Sequence, residues 1–207
     1  SSAASDVYKR QVECYIGTKW DYMGEKTVIV TRQHPQGHFT MGVYLVDIYC
    51  KGLLHSEYFF NMNHDDYEMM VKRIDMDEDL KKAAYADAHK LVYGAIDFAE
   101  AVGIDSEDSF DITKYILDEK KEEIPFAEFG RNGKHYLRAD TDEEAELYIP
   151  IIMEAIGTDF TYSIEGVTDG EVDAAEVPFG DFDFSELNYD EEEFDKMFEK
   201  LNRESQD

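Results

Sequence analysis

The sequence predicts an α+β fold: a mainly antiparallel sheet, made of a three-strand meander plus a later hairpin, with helices packed on one face. Three observations carry this reading. Thr27–Met62 reads as three consecutive apolar strands joined by two tight turns, and turns that short cannot carry a parallel crossover. Leu80–Val102 repeats apolar residues at helical spacing and stops at Gly103. Arg131-Asn132-Gly133 lies between two short aromatic runs, and Asn-Gly suits a type I′ hairpin turn because both central residues need φ > 0.

The elements follow in order. Val12–Ile16 alternates briefly and predicts a first strand. Thr18–Gly24 reads as a helical turn ended by glycine, with Trp20, the only tryptophan, expected to anchor one end of the sheet. Val28, Ile29 and Val30 form a β-branched run, and His34-Pro35-Gln36-Gly37 is the turn after it. In the next strand Phe39, Met41, Val43 and Leu45 alternate with Thr40, Gly42, Tyr44 and Val46. Both sets are largely apolar, which predicts a central strand covered on both sides. Cys50-Lys51-Gly52 turns the chain into Leu54–Asn61, the third strand, with Tyr58, Phe59 and Phe60.

Beyond the meander, Asn63 or Asp65 is suited to cap a helix through about Ile74, with Tyr67, Met70, Val71 and Ile74 on one stripe. The acidic run Asp75–Asp79 breaks it. Leu80–Val102 is the longest helical pattern, and Ser109 or Asp111 opens another helix through Leu117. Pro125–Phe129 and Lys134–Arg138 flank the Asn-Gly turn. Thr141–Glu144 resembles a capping box for a helix to about Ile156, in which Pro150 predicts a kink or a late start. Asp159–Glu165 closes as a last strand.

Composition sets the outer limits. A chain of 207 residues with 43% apolar and 14% aromatic residues is globular and large enough for a true core. A formal charge of −28 argues against phosphate-mediated nucleic-acid binding and against anionic lipid surfaces, and no apolar run approaches the roughly 20 residues of a membrane span. Cys14 and Cys50 are the only cysteines and read as two buried thiols in a reducing cytoplasm. From Val167 onward fifteen residues are Asp or Glu and three are Lys or Arg, so this tail carries −12 of the total. Residues 12–166 are therefore expected to form a single α+β domain and residues 167–207 an acidic-aromatic tail. The tail reads as solvated and largely disordered. Alternatively, Phe194, Met197, Phe198 and Leu201, which share one side at helical spacing, fold onto a basic, apolar groove of a protein partner.

The segment HPQGHFTMGVYLVDIYCKGL, followed by YFFNM, resembles a family of bacterial proteins that share an HPxGxxTxGxYLVDxxCxG-like pattern. The later YGAIDFAEAVGI, FDITKYILDE and FGRNGK stretches are similar as well, so the resemblance covers roughly Val12–Ala139. It implies one intact domain type and transfers no catalytic residues. Ser1–Gln11 (SSAASDVYKRQ) is similar to the in-frame translation of a transposase sequencing adaptor. That likeness implies a non-native segment that packs on nothing, and a missing native start that leaves open a lost signal peptide or N-terminal element.

No sequence pattern names a cofactor or a metal. Asp75-x-Asp77-x-Asp79 imitates a calcium loop but has Leu80 and Ala86 where Gly and Glu are needed; Asp181-x-Asp183-x-Ser185 has Glu186 at the glycine position. The six histidines show neither HExxH nor zinc-finger spacing, and there is no GxSxG elbow. Asp47 remains the most informative single residue, since a carboxylate at the end of the apolar GVYLV run is costly to bury unpaired. It reads as a turn-capping Asp, or alternatively as a catalytic residue acting with Tyr49, His34 or His89. The function expected is a non-enzymatic interaction or regulatory domain. The alternatives are a hydrolase built on Asp47 and an acidic mimic of nucleic acid.

Overall fold

The computed structural model describes residues 11–120 and 129–165. Strands β1 (Gln11–Gly17), β2 (Glu25–Gln33), β3 (Phe39–Asp47), β4 (Gly52–Met62) and β5 (Leu80–Ala83) form one antiparallel sheet in the order β4-β3-β2-β1-β5. The fold is α+β, and the expected meander is its centre. Gln11 already pairs with Arg32, so the strand begins inside the segment that resembles an adaptor; residues 1–10 lie outside the described residues.

Helices cover both faces of this sheet, which corrects the one-sided cover expected. Val28, Val30, Tyr44, Val46 and Leu53 point to one face, under Ala88, Val92, Ala95 and Ile96 of α2 (Tyr85–Glu100). Ile29, Phe39 and Met41 point to the other, where Tyr67, Met70, Val71 and Ile74 of α1 (His64–Glu78) meet them. The physical reason is in β2 and β3 themselves: strands that are apolar at odd and even positions alike must be buried twice. Asn63 caps α1 as expected, its side chain accepting the Asp66 N–H at 2.8 Å.

Residues 80–83 are strand, not the start of the long helix that the spacing predicts. Asp79 takes φ 50°, Asp75 Oδ1 accepts the Leu80 N–H at 2.8 Å, and Leu80–Ala83 pairs with Gly17–Cys14. The open edge of β1 offers backbone groups that a helical turn leaves unused, and this tertiary pairing outweighs the local periodicity. Helix α3 is likewise short, Phe110–Thr113.

The hairpin and last strand do not extend the meander. β6 (His135–Ala139) and β7 (Phe160–Ile164) form a separate two-stranded parallel sheet, connected by α4 (Asp142–Ile156). A helix between two strands returns the chain to the end it left, so the second strand runs parallel to the first. The Asn-Gly turn itself forms, with Asn132 at φ 53°, Gly133 at φ 76° and Arg131 paired with Lys134. Its first expected strand, apart from Phe129, lies outside the described residues. Thr141 caps α4 by accepting the Glu144 N–H at 3.1 Å, and Pro150 sits inside a helix that runs to Ile156.

Trp20 is half-buried, and its ring partners, Lys19 and Tyr22, belong to the same turn. Both cysteines are buried, and no disulfide joins them. Among the described residues no helix is long and apolar enough to cross a membrane.

Candidate functional site

Asp47 ends β3 and is 2% exposed. Its Oδ1 accepts the Tyr49 N–H at 2.9 Å, and its Oδ2 accepts the Lys51 N–H at 2.7 Å and the Cys50 N–H at 3.3 Å. The carboxylate therefore holds the β3–β4 turn closed by spanning its amides. Burial pushes its pKa up to about 6, against the opposing pull of these amides and the Lys51 charge. Burial also raises the Cys50 thiol, with the Asp47 charge acting the same way, so the thiolate a nucleophile requires is disfavoured.

The same turn joins the two sheets. Gly130 donates its N–H to Ile48 O at 2.8 Å, Tyr136 donates its N–H to Tyr49 O at 3.0 Å, and Lys51 Nζ reaches Glu144 Oε1 at 2.8 Å. Burial opposes the Lys51 charge, but the Glu144 hydrogen bond together with the Glu144 and Asp47 charges outweighs it and the ammonium pKa is raised. The backbone must come close here. Gly52 has φ 73°, and a Cβ on it would lie 2.6 Å from Ala99 Cβ and 2.9 Å from Ala95 O of α2.

The structure brings Asp47 and Tyr49 together, and neither histidine joins them. Asp47 pairs with Glu25 and Phe39 with Gln33, so His34 lies beyond the far end of the same strands, roughly 25 Å away at the rise of an extended chain. There His34 Nε2 lies 2.6 Å from Thr40 Oγ1 and its ring meets Phe60 edge-on at 5.5 Å. His89 stands six residues before Ala95, roughly 9 Å along the helix axis from the Asp47 turn.

His89 belongs instead to a clip centred on Asp118. Tyr85, His89 and Tyr93 rise along α2 at four-residue spacing. His89 Nε2 donates to Asp118 O at 3.0 Å and Tyr93 Oη donates to the same oxygen at 3.2 Å. Tyr85 Oη accepts the Asp118 N–H at 2.9 Å and donates to Asp118 Oδ2 at 2.9 Å. Arg32, buried on β2, donates from Nε to Ile116 O at 2.8 Å and lies 3.7 Å from the Asp118 carboxylate. A buried guanidinium is tolerated only when paired in this way. The clip ties the segment after α3 down onto the sheet.

A second polar cluster fastens α3 to β4. Ser56 Oγ is 2.7 Å from both Ser109 Oγ and Thr113 Oγ1, and Ser56 N donates to Ser109 Oγ at 3.0 Å. Glu107 accepts from the Ser109 N–H at 3.0 Å and from its hydroxyl, and Tyr44 Oη donates to Thr113 O at 2.7 Å. Among the described residues no three His, Cys, Asp or Glu side chains converge as metal ligands.

What this scaffold leaves in solvent is the aromatic end of β4, beyond the point where Ser109 takes the Ser56 N–H. β4 is a terminal strand of the sheet, and among the described residues no strand pairs with its outer side. Tyr58 and Phe60 on it are 49% and 63% exposed, and Ile112 and Tyr115, in and just after α3, are exposed as well. The sequence shows the aromatic run of β4 but carries no local signal of its place at an edge. Phe194, Met197, Phe198 and Leu201, the partner-binding residues expected in the tail, lie outside the described residues. No family model, curated protein or solved structure matches the chain.

Proposed function

We propose that the chain is a non-enzymatic interaction domain whose contact surface is the exposed aromatic end of β4, around Tyr58 and Phe60. The observation that carries this reading is the pair of solvent-facing rings, Tyr58 and Phe60, on a terminal strand of the sheet. Exposed aromatics are what a protein partner uses, whereas the oxygens of Asp47 are taken up by the amides of its own turn. The acidic-aromatic tail, through Phe194, Met197, Phe198 and Leu201, is a second contact or a solubilising segment. Two buried cysteines not joined in a disulfide fit a reducing, cytoplasmic setting.

The test places a photo-crosslinking amino acid at Tyr58, and in a second variant at Lys81 on the opposite edge, in the full chain inside its own cell. Capture of one discrete protein from position 58 and not from 81 supports the reading. Equal capture from both overturns it, as does a hydrolytic turnover that Asp47→Asn abolishes while the unfolding midpoint stays in place.

A further inference from the structure

Building on the interaction reading, we infer that the surface around Tyr58 and Phe60 docks a basic segment of a protein partner through side chains. The partner's arginine or lysine groups lie over the exposed rings and pair with the carboxylates beside them.

The backbone of β4 is not the receptor. Ser109 Oγ accepts the Ser56 N–H at 3.0 Å, and the pairing with β3 shifts register twice, so contact falls to side chains. Tyr58 pairs with Gly42 and therefore stands on the face where Ser56 meets Ser109 and Thr113. Gly42 has no side chain to lie against the Tyr58 ring. Phe60 follows, exposed, with the His34 ring edge-on to it. Tyr58 lies roughly 7 Å along the strand from Ser56, and Ile112 is one helical turn beyond Ser109, with exposed Tyr115 just after it. Strand and helix thus place these groups within reach of one partner segment.

Charge then selects the occupant. Residues 105–116 carry Asp105, Glu107, Asp108 and Asp111 against one lysine, Lys114, and Glu57 adjoins Tyr58. The chain already makes the contact that it offers a partner. Lys114 Nζ lies 2.8 Å from Asp111 Oδ1 and 5.8 Å from the centre of the Tyr115 ring. A ring face attracts a cation within about 6 Å, and a neighbouring carboxylate adds a charged hydrogen bond. The same carboxylates repel a second copy of this −28 chain.

The experiment uses the full chain and three synthetic peptides of about twelve residues. One is built of leucine, arginine and glycine. The second has citrulline for every arginine, which keeps the shape and removes the charge, and the third has glutamate there. Affinity is read by titration calorimetry and the site by the ring signals in NMR spectra. The arginine peptide is expected to move the Tyr58, Phe60 and Tyr115 signals and not those of Tyr22, which is exposed elsewhere. Its binding should weaken by about tenfold or more between about 50 mM and about 500 mM salt. The citrulline and glutamate peptides should bind at least about tenfold more weakly. Phe60→Ser and Asp111→Lys, both at exposed positions, should each weaken the arginine peptide at least about fivefold with the unfolding midpoint unchanged. Asp77→Lys makes the same charge change on α1 and should alter affinity by less than about twofold.

Equal binding of the citrulline and arginine peptides overturns the basic occupant. An equal loss from Asp77→Lys and Asp111→Lys overturns the docking surface, since the peptide would then answer only to overall charge. So does a Tyr22 response equal to that of Tyr58, or a dimer that Phe60→Ser dissociates. If the arginine peptide fails to bind while position 58 still captures a partner, the basic occupant falls and the interaction reading stands; if neither occurs, both fall.

Discussion

The two edges of the five-stranded sheet are built on opposite lines. β5 has four residues, Leu80–Ala83, and its Lys81 and Lys82 side chains stand in solvent beside Asp79 and Glu13. β4 has eleven residues, no lysine or arginine, and two exposed aromatic rings. A short edge carrying lysines repels a further strand, whereas along β4 the Ser109 hydroxyl accepts the Ser56 N–H and the pairing with β3 shifts register twice. The same chain therefore guards one edge by shortness and charge and the other by a side-chain cap, with Tyr58 and Phe60 exposed beyond it. The contrast extends to how each edge is held. β4 is fixed by buried groups, Asp47 at its start and Ser56 at its middle, whereas β5 is fixed by ion pairs on the surface.

That contrast is open to direct attack, beginning where the effect should be largest. Asp47→Ala leaves three turn amides without their acceptor in a buried site and should cost about 3–4 kcal/mol in urea unfolding. A loss below about 1 kcal/mol would mean that the turn does not depend on its carboxylate. The pH dependence should be next in size. Asp47 holds its proton up to about pH 6 in the folded chain, and only up to about pH 4 when unfolded. The folded state thus binds more protons between those values, so this residue's contribution to stability falls as pH rises from about 4 to about 6, by at most about 3 kcal/mol. Comparing urea midpoints of the natural chain and Asp47→Asn from pH 4 to pH 7 isolates the effect, since the mutant lacks that slope; parallel profiles would refute it.

Ser56→Ala removes one member of the hydroxyl cluster and should cost about 1–2 kcal/mol, with exchange accelerated in α3 and β4. Lys82→Ala, on the other edge, breaks an exposed pair with Glu13 and should change stability by about 0.5 kcal/mol or less. If Lys82→Ala cost as much as Ser56→Ala, the distinction between a buried anchorage and a surface one would collapse.

Much of this molecule follows from short-range chemistry that the sequence alone determines. The three strands of the meander, the Asn63 and Thr141 caps, the Asn132-Gly133 turn and the turn-capping reading of Asp47 all depend on residues within four positions of one another. The apolar character of both faces of β3 was also legible, and it already implied the two-sided cover that the folded chain has. The candidate site was less so: YFF was visible as a strand, but an edge strand and a central one differ only in their neighbours. Tertiary structure alone decided that Leu80–Ala83 pairs with β1 and that β6 pairs with β7, apart from the meander. It also decided that His34 and His89 stand away from Asp47. The physical reason is common to all of these. A strand is completed by backbone groups on another part of the chain, and side-chain periodicity carries no record of which groups those will be.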